Sequence, residues 1–312
     1  MRLNAVTLLV VPLPVHVTPL AFEDLAEAAR VAGNENLLAH LTAGTIDPGG
    51  VFVARRQPER RIVGVVLAQC MTGRIGSILP PTILESEATE EIAEALVRAA
   101  CDSFRQQGMA FAQALFSLAD VSLAEPLVRH GFRRVTTLLQ MQREAPFDAP
   151  LERSGDHRLT FTPLAKVDAA HFTQALLATY EDSLDVPESG LDRSAEDVMA
   201  GLFDGQPELP DWWLASNAAG EPLAVLLLSA GVAPSGRELT YLGVLPAARR
   251  QGVARSTIRF LFKRAEAANL DCLQLCVDAR NRPAVQLYRA SGFRVVRKQV
   301  VFLWHPEQLN DR

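Results

Sequence analysis

Along the second half of the chain, apolar residues fall in short runs parted by turn residues. "DWWLASN" (211–217), "PLAVLLLSAG" (222–231) and "ELTYLGV" (238–244), separated by "AAGEP" and "VAPSG", read as strands of a meander. The spacing then changes. Over residues 253–270, Ala254, Ile258, Leu261, Phe262 and Ala265 recur at helical intervals, which predicts an amphipathic helix. "LQLCVD" (273–278) follows as a strand, and "RPAVQLYRASGF" (282–293) as a helix ended by Gly292. The pattern predicts a mixed α/β unit with its helices packed on a sheet.

The first half carries the same order of elements: strand, one or two helices, a run of strands, helix, strand, helix, strand. "TPLAFEDLA" (18–26) returns as "TPLAKVDAA" (162–170), the paired apolar runs from Val51 return from Trp212, and "HGF" (130–132) returns as "SGF" (291–293). Matching elements kept in order over such a length point to two copies of one unit. The second copy holds extra residues in or near "YEDSLDVPESGLDRSAEDV" (180–198), whose Asp, Glu, Ser, Gly and Pro content predicts a loop or broken helix. The polar, proline-containing stretch "EAPFDAPLERSGDH" (144–157) marks the boundary between domains 1–150 and 151–312.

Composition narrows the picture. With 312 residues, 48% hydrophobic and 21% charged, the chain is long enough for two globular domains. Its net charge of -5 argues against nucleic acid, which calls for a basic face. Cys70, Cys101, Cys272 and Cys276 show no metal-ligand spacing with histidine, so no metal is expected, and thiols in a reducing compartment fit better than a disulfide. "AVTLLVVPLPV" (5–15) has the length of a signal-peptide core, but its prolines, His16 and the missing small-x-small cleavage site argue against export. No apolar stretch nears the roughly 20 residues a membrane span needs. The expected location is the cytoplasm, without a membrane partner.

Candidate chemistry sits at "VLPAARRQGVAR" (244–255), where a strand end turns into a helix. A helix start already presents unpaired N–H groups and the positive end of its dipole, so Arg249, Arg250 and Arg255 there call for a strongly negative ligand. Gly252 lets the backbone approach it closely and Ala254 keeps the first turn narrow. A pyrophosphate fits these features.

These residues resemble a known family. "VLPAARRQGVA" (244–254) is similar to the acyl-CoA motif V-x-P-x-x-R-x-x-G-x-G/A of the GNAT acetyltransferase superfamily, and "NRPAVQLYRASGF" (281–293) to that family's N-x-x-A-x-x-L-Y-x-x-x-G-F. The resemblance covers residues 157–305 and implies two tandem GNAT-like domains. The N-terminal one is degenerate: "ILPPTILESEATEEIAEAL" (78–96) has no glycine or arginine before its helix, and Leu127 stands where the second copy has Tyr288. That domain is expected to support the active one or shape its substrate cleft; the alternative is that it binds acyl-CoA in another way.

What the resemblance implies is direct attack of an amine on acetyl-CoA within a ternary complex. Glu238, six residues before Val244, takes the place of a general base, with Glu238, Thr240 and Leu242 expected on one face of their strand. Tyr288 takes the place of a general acid, and Asn281 that of a cofactor contact or helix cap. Main-chain N–H groups of Arg250, Gly252, Val253, Ala254 and Arg255 are expected to hold the pyrophosphate, with Arg249 beside them, and an amide near Val244 to meet the oxyanion. Tyr180, Glu181, Asp182, Asp185 and Glu188 in the extra segment, with Trp212 and Trp213, offer carboxylates and aromatic faces to a cationic amine; Tyr180, Glu181 and Trp213 are the substrate candidates. The expected function is an N-acetyltransferase acting on a small-molecule primary amine, as a monomer whose domains pair as a pseudo-dimer or as a homodimer. The competing class is a non-catalytic acyl-CoA-binding sensor or partner module.

Overall fold

In the computed structural model, residues 15–33, 35–87, 89–147, 159–190, 193–203, 211–231 and 233–306 are described. Nearly all of the stretch weighed as a signal core, and most of the linker, lie outside them. Among the described residues no helix is long and apolar enough to cross a membrane.

The first unit runs β1 (Val15–Pro19), α1 (Leu25–Val31), α2 (Glu35–Thr42), β2 (Val51–Arg56), β3 (Arg61–Met71), β4 (Ile75–Ile78), β5 (Thr82–Ile83), α3 (Glu90–Gln106), β6 (Phe111–Ser117), α4 (Glu125–Arg129) and β7 (Arg133–Glu144). The second runs β8 (Thr160–Pro163), α5 (Ala169–Ala178), α6 (Ala195–Phe203), β9 (Asp211–Ser216), β10 (Pro222–Ala230), β11 (Gly236–Val244), α7 (Val253–Ala267), β12 (Cys272–Asp278), α8 (Arg282–Ala290) and β13 (Arg294–Trp304). The two units share the same order of helices and strands except for β5, which has no counterpart in the second. Local chemistry sets the helix starts: Thr89, Asp168 and Asn281 each accept a main-chain N–H from the first turn of α3, α5 and α8. Ile258, Leu261, Phe262 and Ala265 of α7 are buried as their spacing requires.

All strands join one 13-stranded sheet, in the order β1-β2-β3-β4-β6-β13-β7-β12-β11-β10-β9-β8, with β5 paired to β3 off this path. The two units exchange their last strands. β13 lies antiparallel between β6 and β7, and β7 lies antiparallel between β13 and β12. Core residues travel with the strands: Val300, Phe302 and Trp304 of β13 pack with Phe104 and Phe132 of the first unit, while Leu139 and Met141 of β7 pack with Ile258, Leu261 and Leu275 of the second. Each unit therefore completes its core with a strand of the other, as in a strand-swapped dimer made within one chain.

One irregularity positions the site. β11 pairs with β10 at Leu239↔Leu228 and Tyr241↔Leu227, leaving Thr240 as an extra, unpaired residue, a β-bulge. It resets the alternation. Leu239 and Leu242 both join the core that holds Leu226 and Leu228, while Tyr241 joins the opposite one with Leu227. The expectation that Leu242 shares a face with Glu238 fails for this reason; Thr240 does share it, its hydroxyl bonding Ser229, the partner of Glu238 in the ladder.

In the first unit, β5 occupies the place of the basic turn. Glu87 just beyond it accepts from Arg56 and Arg61, and hydrogen bonding from Arg56 holds its carboxyl below the usual range. Leu127 is fully buried in the core.

Candidate active site

The site opens where two strands part. β11 and β12 run parallel from Gly236↔Cys272 to Leu239↔Leu275 and pair no further. Beyond that point β11 stays with β10 as far as Val244, and β12 stays with β7 as far as Asp278. A wedge is left between Thr240–Val244 and Cys276–Asp278, with main-chain groups freed along its edges.

Glu238 stands on the face of the sheet that α5 and the extra segment cover. Its carboxylate has no hydrogen-bond or ion-pair partner among the described residues, and burial raises its pKa above the ordinary glutamate value. Around it, Thr179 at the end of α5 bonds the Tyr241 hydroxyl at 2.9 Å, and the Tyr180 ring stacks on Tyr241 with centroids 5.1 Å apart. Gly243 is required here, because a Cβ would run into Thr179. Burial pushes the Tyr180 hydroxyl up to about 12 and that of Tyr241 further still.

Cys276 lies on the opposite edge of the wedge. It is exposed, yet burial by the surrounding walls, then the charges of Glu238 and Asp185, push its thiol up to about 11. Asp185, likewise open to solvent but walled in, has its carboxyl raised chiefly by burial; its Oδ1 accepts the Asp278 N–H at 2.9 Å. Asp278 is fully buried. It accepts from Thr136 of β7, the Val186 N–H and Arg280, and although burial works to raise its carboxyl, the bonds from Arg280 and Thr136 outweigh this and hold it low. Arg280 also forks onto Glu188 at 2.7 and 2.9 Å.

Tyr288 enters from the other face. Its ring packs edge-on against Phe293 at 5.8 Å and is 8% exposed, its hydroxyl has no partner among the described residues, and burial followed by the Asp185 charge raises its pKa. The wedge thus separates a carboxylate on one face from a phenol on the other.

The basic turn closes the end of the wedge. Gly252 (φ 87°) caps α7 without a side-chain bond and Arg250 also has positive φ (64°). The main-chain N–H groups of Arg250, Gly252, Val253 and Ala254 meet no main-chain acceptor among the described residues. These donors, together with the helix start, fit a phosphate group. Arg249 is turned away from them. Its guanidinium donates to the carbonyls of Val244 (3.0 Å), Thr179 (3.2 Å), Glu181 and Asp182 (3.4 Å), clasping the extra segment to the turn. Arg250 forms no ion pair among the described residues, and Asn281 caps α8 through Ala284 N–H at 3.2 Å.

Comparison with known proteins bears on the second unit first. Residues 176–293 match the model of the Acetyltransferase (GNAT) family. The match lies in the second unit, from the end of α5 to just past α8. A mycothiol acetyltransferase from Acidothermus cellulolyticus is 28% identical over 209 residues, a match spanning 60% of this chain and 61% of that relative's length. Among solved structures, a GCN5-related N-acetyltransferase from Sphaerobacter thermophilus superposes with a TM-score of 0.62 at 16% identity, covering 94% of this chain and 97% of that one. A tandem GNAT protein from the clavulanic acid biosynthesis pathway gives 0.52 at 13%, covering 94% and 99%. These two likenesses are of fold, and they include the tandem layout.

In the second unit, Glu238, Tyr180 and Tyr288 stand around the wedge, and Val244, Arg250, Gly252, Val253 and Ala254 on the turn; Arg255 lies in the first turn of α7. Two substrate candidates do not join them. Trp213 lies on the opposite face, edge-on to Phe260 at 5.0 Å with its N–H held by Asp211, because alternation along β9 sends Trp212 and Trp213 to different sides. Glu181 is exposed and contributes its carbonyl to Arg249, and its carboxylate has no partner among the described residues. Tyr241, Cys276 and Asp278 were not singled out from the sequence as site residues. A bulge hides the first, and the others stand inside an ordinary strand pattern.

Proposed function

We propose that the chain is an acetyl-CoA-dependent N-acetyltransferase acting on a primary amine of a small molecule, with the second unit active. The observation that carries this is the wedge itself, with an unpaired carboxylate on one face, an unpaired phenol reaching it from the other, and a donor-rich turn at its end. An alkylammonium is only about one part in 10³ neutral at pH 7, so a base is needed. Glu238 takes the amine proton; its burial makes it a stronger base than a solvated glutamate. As the nitrogen bonds the acyl carbon and the carbon–sulfur bond breaks, Tyr288 gives its proton to the departing sulfur. A main-chain N–H near Val244 meets the developing oxyanion. The N–H groups of Arg250, Gly252, Val253, Ala254 and Arg255 hold the pyrophosphate, with the Arg250 and Arg255 charges beside it. The relative's acetyltransferase name supports the reaction class; at 28% identity its mycothiol acceptor is not carried over.

The test is acetyl-CoA titration of the intact chain and of Gly252→Asp, followed by CoA release with a panel of amines. One binding site, lost in Gly252→Asp, with turnover that Glu238→Gln abolishes, is the expected result. Binding without turnover of any amine would instead return the chain to the class of acyl-CoA-binding modules.

A further inference from the structure

The cleft of this site is over-supplied with negative charge. Glu238 on β11 is the ladder partner of Gln274, which shares a face with Cys276, and Asp185 of the extra segment accepts the N–H of Asp278, two residues beyond Cys276, so the two carboxylates flank that thiol from two elements. Asp185 spends one oxygen on the Asp278 N–H, and its other oxygen accepts nothing among the described residues. Three arginines around the cleft give their hydrogen bonds to other groups: Arg280 to Asp278 and Glu188, Arg249 to four carbonyls, Arg193 to the carbonyls of Gly73 and Asp197. The Arg280 charge acts on Asp185 from beyond Asp278, but no cation bonds Asp185 or Glu238 among the described residues, and a ligand that brings one into the cleft is favoured there.

A second feature points to a ligand independently. The Tyr288 side chain is more than nine-tenths buried, its hydroxyl unpartnered, and it feels the Asp185 charge across the wedge. The stacked Tyr180 and Tyr241 rings form an aromatic wall within reach of the Asp185 charge, a surface suited to an ammonium-bearing chain.

The two carboxylates cannot do the same work. Glu238 must release its hold as it takes the proton of the reacting nitrogen, whereas Asp185 is fixed by the rigid network Asp278–Arg280–Glu188, itself tied to Thr136 of the exchanged strand β7.

We propose that Asp185 is a binding residue for a second cationic nitrogen, so that the acceptor is a diamine or an amine carrying a guanidinium. The inference rests on the amine-acetyltransferase reading and deepens it by naming the acceptor class.

The test compares matched acceptors, butylamine with 1,4-diaminobutane and pentylamine with 1,5-diaminopentane, by kcat/KM and by calorimetric binding to the chain saturated with CoA. A hydrogen-bonded charge pair of this kind corresponds to a preference of about 10- to 100-fold for the diamine. Asp185→Asn keeps an oxygen for the Asp278 N–H but removes the charge, and is expected to bring the diamine-to-monoamine ratio close to one. A ratio near one in the unmodified chain, or a preference that survives Asp185→Asn, overturns the inference while leaving acetyl transfer intact. Diamine binding that Asp185→Asn abolishes, without turnover of any amine, supports the subsite and refutes the transferase reading. Absence of both binding and turnover refutes both.

Discussion

Arg249 belongs to the motif that resembles a pyrophosphate seat, yet its guanidinium faces the other way, and Arg249→Met tests which matters. Methionine keeps the apolar stem and removes the donors. Of the four carbonyls left behind, those of Glu181 and Asp182 are exposed and rehydrate, whereas those of Val244 and Thr179 are partly buried, at 3.0 and 3.2 Å from the guanidinium. Two charge-assisted bonds of this kind, discounted for partial solvation, amount to roughly 2–4 kcal/mol. For a chain of this size that corresponds to a fall in Tm of about 3–6 °C, read by scanning calorimetry. Acetyl-CoA affinity, measured by titration, is expected to stay within about threefold of the unmodified chain, because the turn offers main-chain donors and the Arg250 and Arg255 charges. An unchanged Tm with acetyl-CoA affinity weakened about tenfold or more would refute the clasp and put the Arg249 charge on the phosphates.

Glu238→Gln is expected to lower kcat by about 10²- to 10⁴-fold with acetyl-CoA binding retained. In the unmodified chain, activity needs the ionised carboxylate, so kcat/KM is lost as pH falls through its raised pKa, and the acid limb of the pH profile lies above the ordinary glutamate range. Cys276 is exposed but its thiol is pushed up to about 11, so alkylation at pH 8 should be slow; Glu238→Gln removes a charge that raises it and should speed labelling, followed by mass spectrometry. Arg193 joins the extra segment to the first unit through the Gly73 carbonyl at 2.9 Å, and Arg193→Ala should raise the acceptor KM several-fold and quicken amide exchange around residues 186–203, with acetyl-CoA affinity retained. Residues 151–312 expressed alone lack β7, which leaves β12 and β13 without a shared neighbour and the core without Leu139 and Met141; aggregation is expected by light scattering, relieved by co-expressing residues 1–150.

The order of elements could be read from the sequence because each is encoded locally. Runs such as "PLAVLLLSAG" and the apolar stripe of α7 state their own periodicity, and the repeat multiplies the evidence. The turn was legible for a similar reason, since Gly252 and its arginines break the composition around them. Side-chain direction was not. A single extra residue at Thr240 shifts which later positions face the core, and a hydrophobic pattern as even as "ELTYLGV" carries no mark of it. Trp213 went astray by the same rule, one step along a strand being a change of face. Arg249 shows a different limit, because its motif position is local while its four acceptors depend on where α5 ends.

Strand exchange was the least legible feature, and it bears on why the first unit is kept although its own turn is filled by β5 and Glu87. The swap places Thr136 of β7 against Asp278, and Asp278 in turn holds Asp185 and the Val186 N–H. Val186 itself packs against the cluster of Ala110, Phe111, Val301 and Leu303 at β6 and β13, and Arg74 pairs with Asp197 at 3.5 Å. Both walls of the candidate acceptor cleft are therefore fixed to the first unit, one through a strand it lends and the other through the segment it anchors. A unit without a basic, donor-rich turn of its own can still govern the shape of its partner's cleft, because positioning needs only packed surfaces and hydrogen bonds.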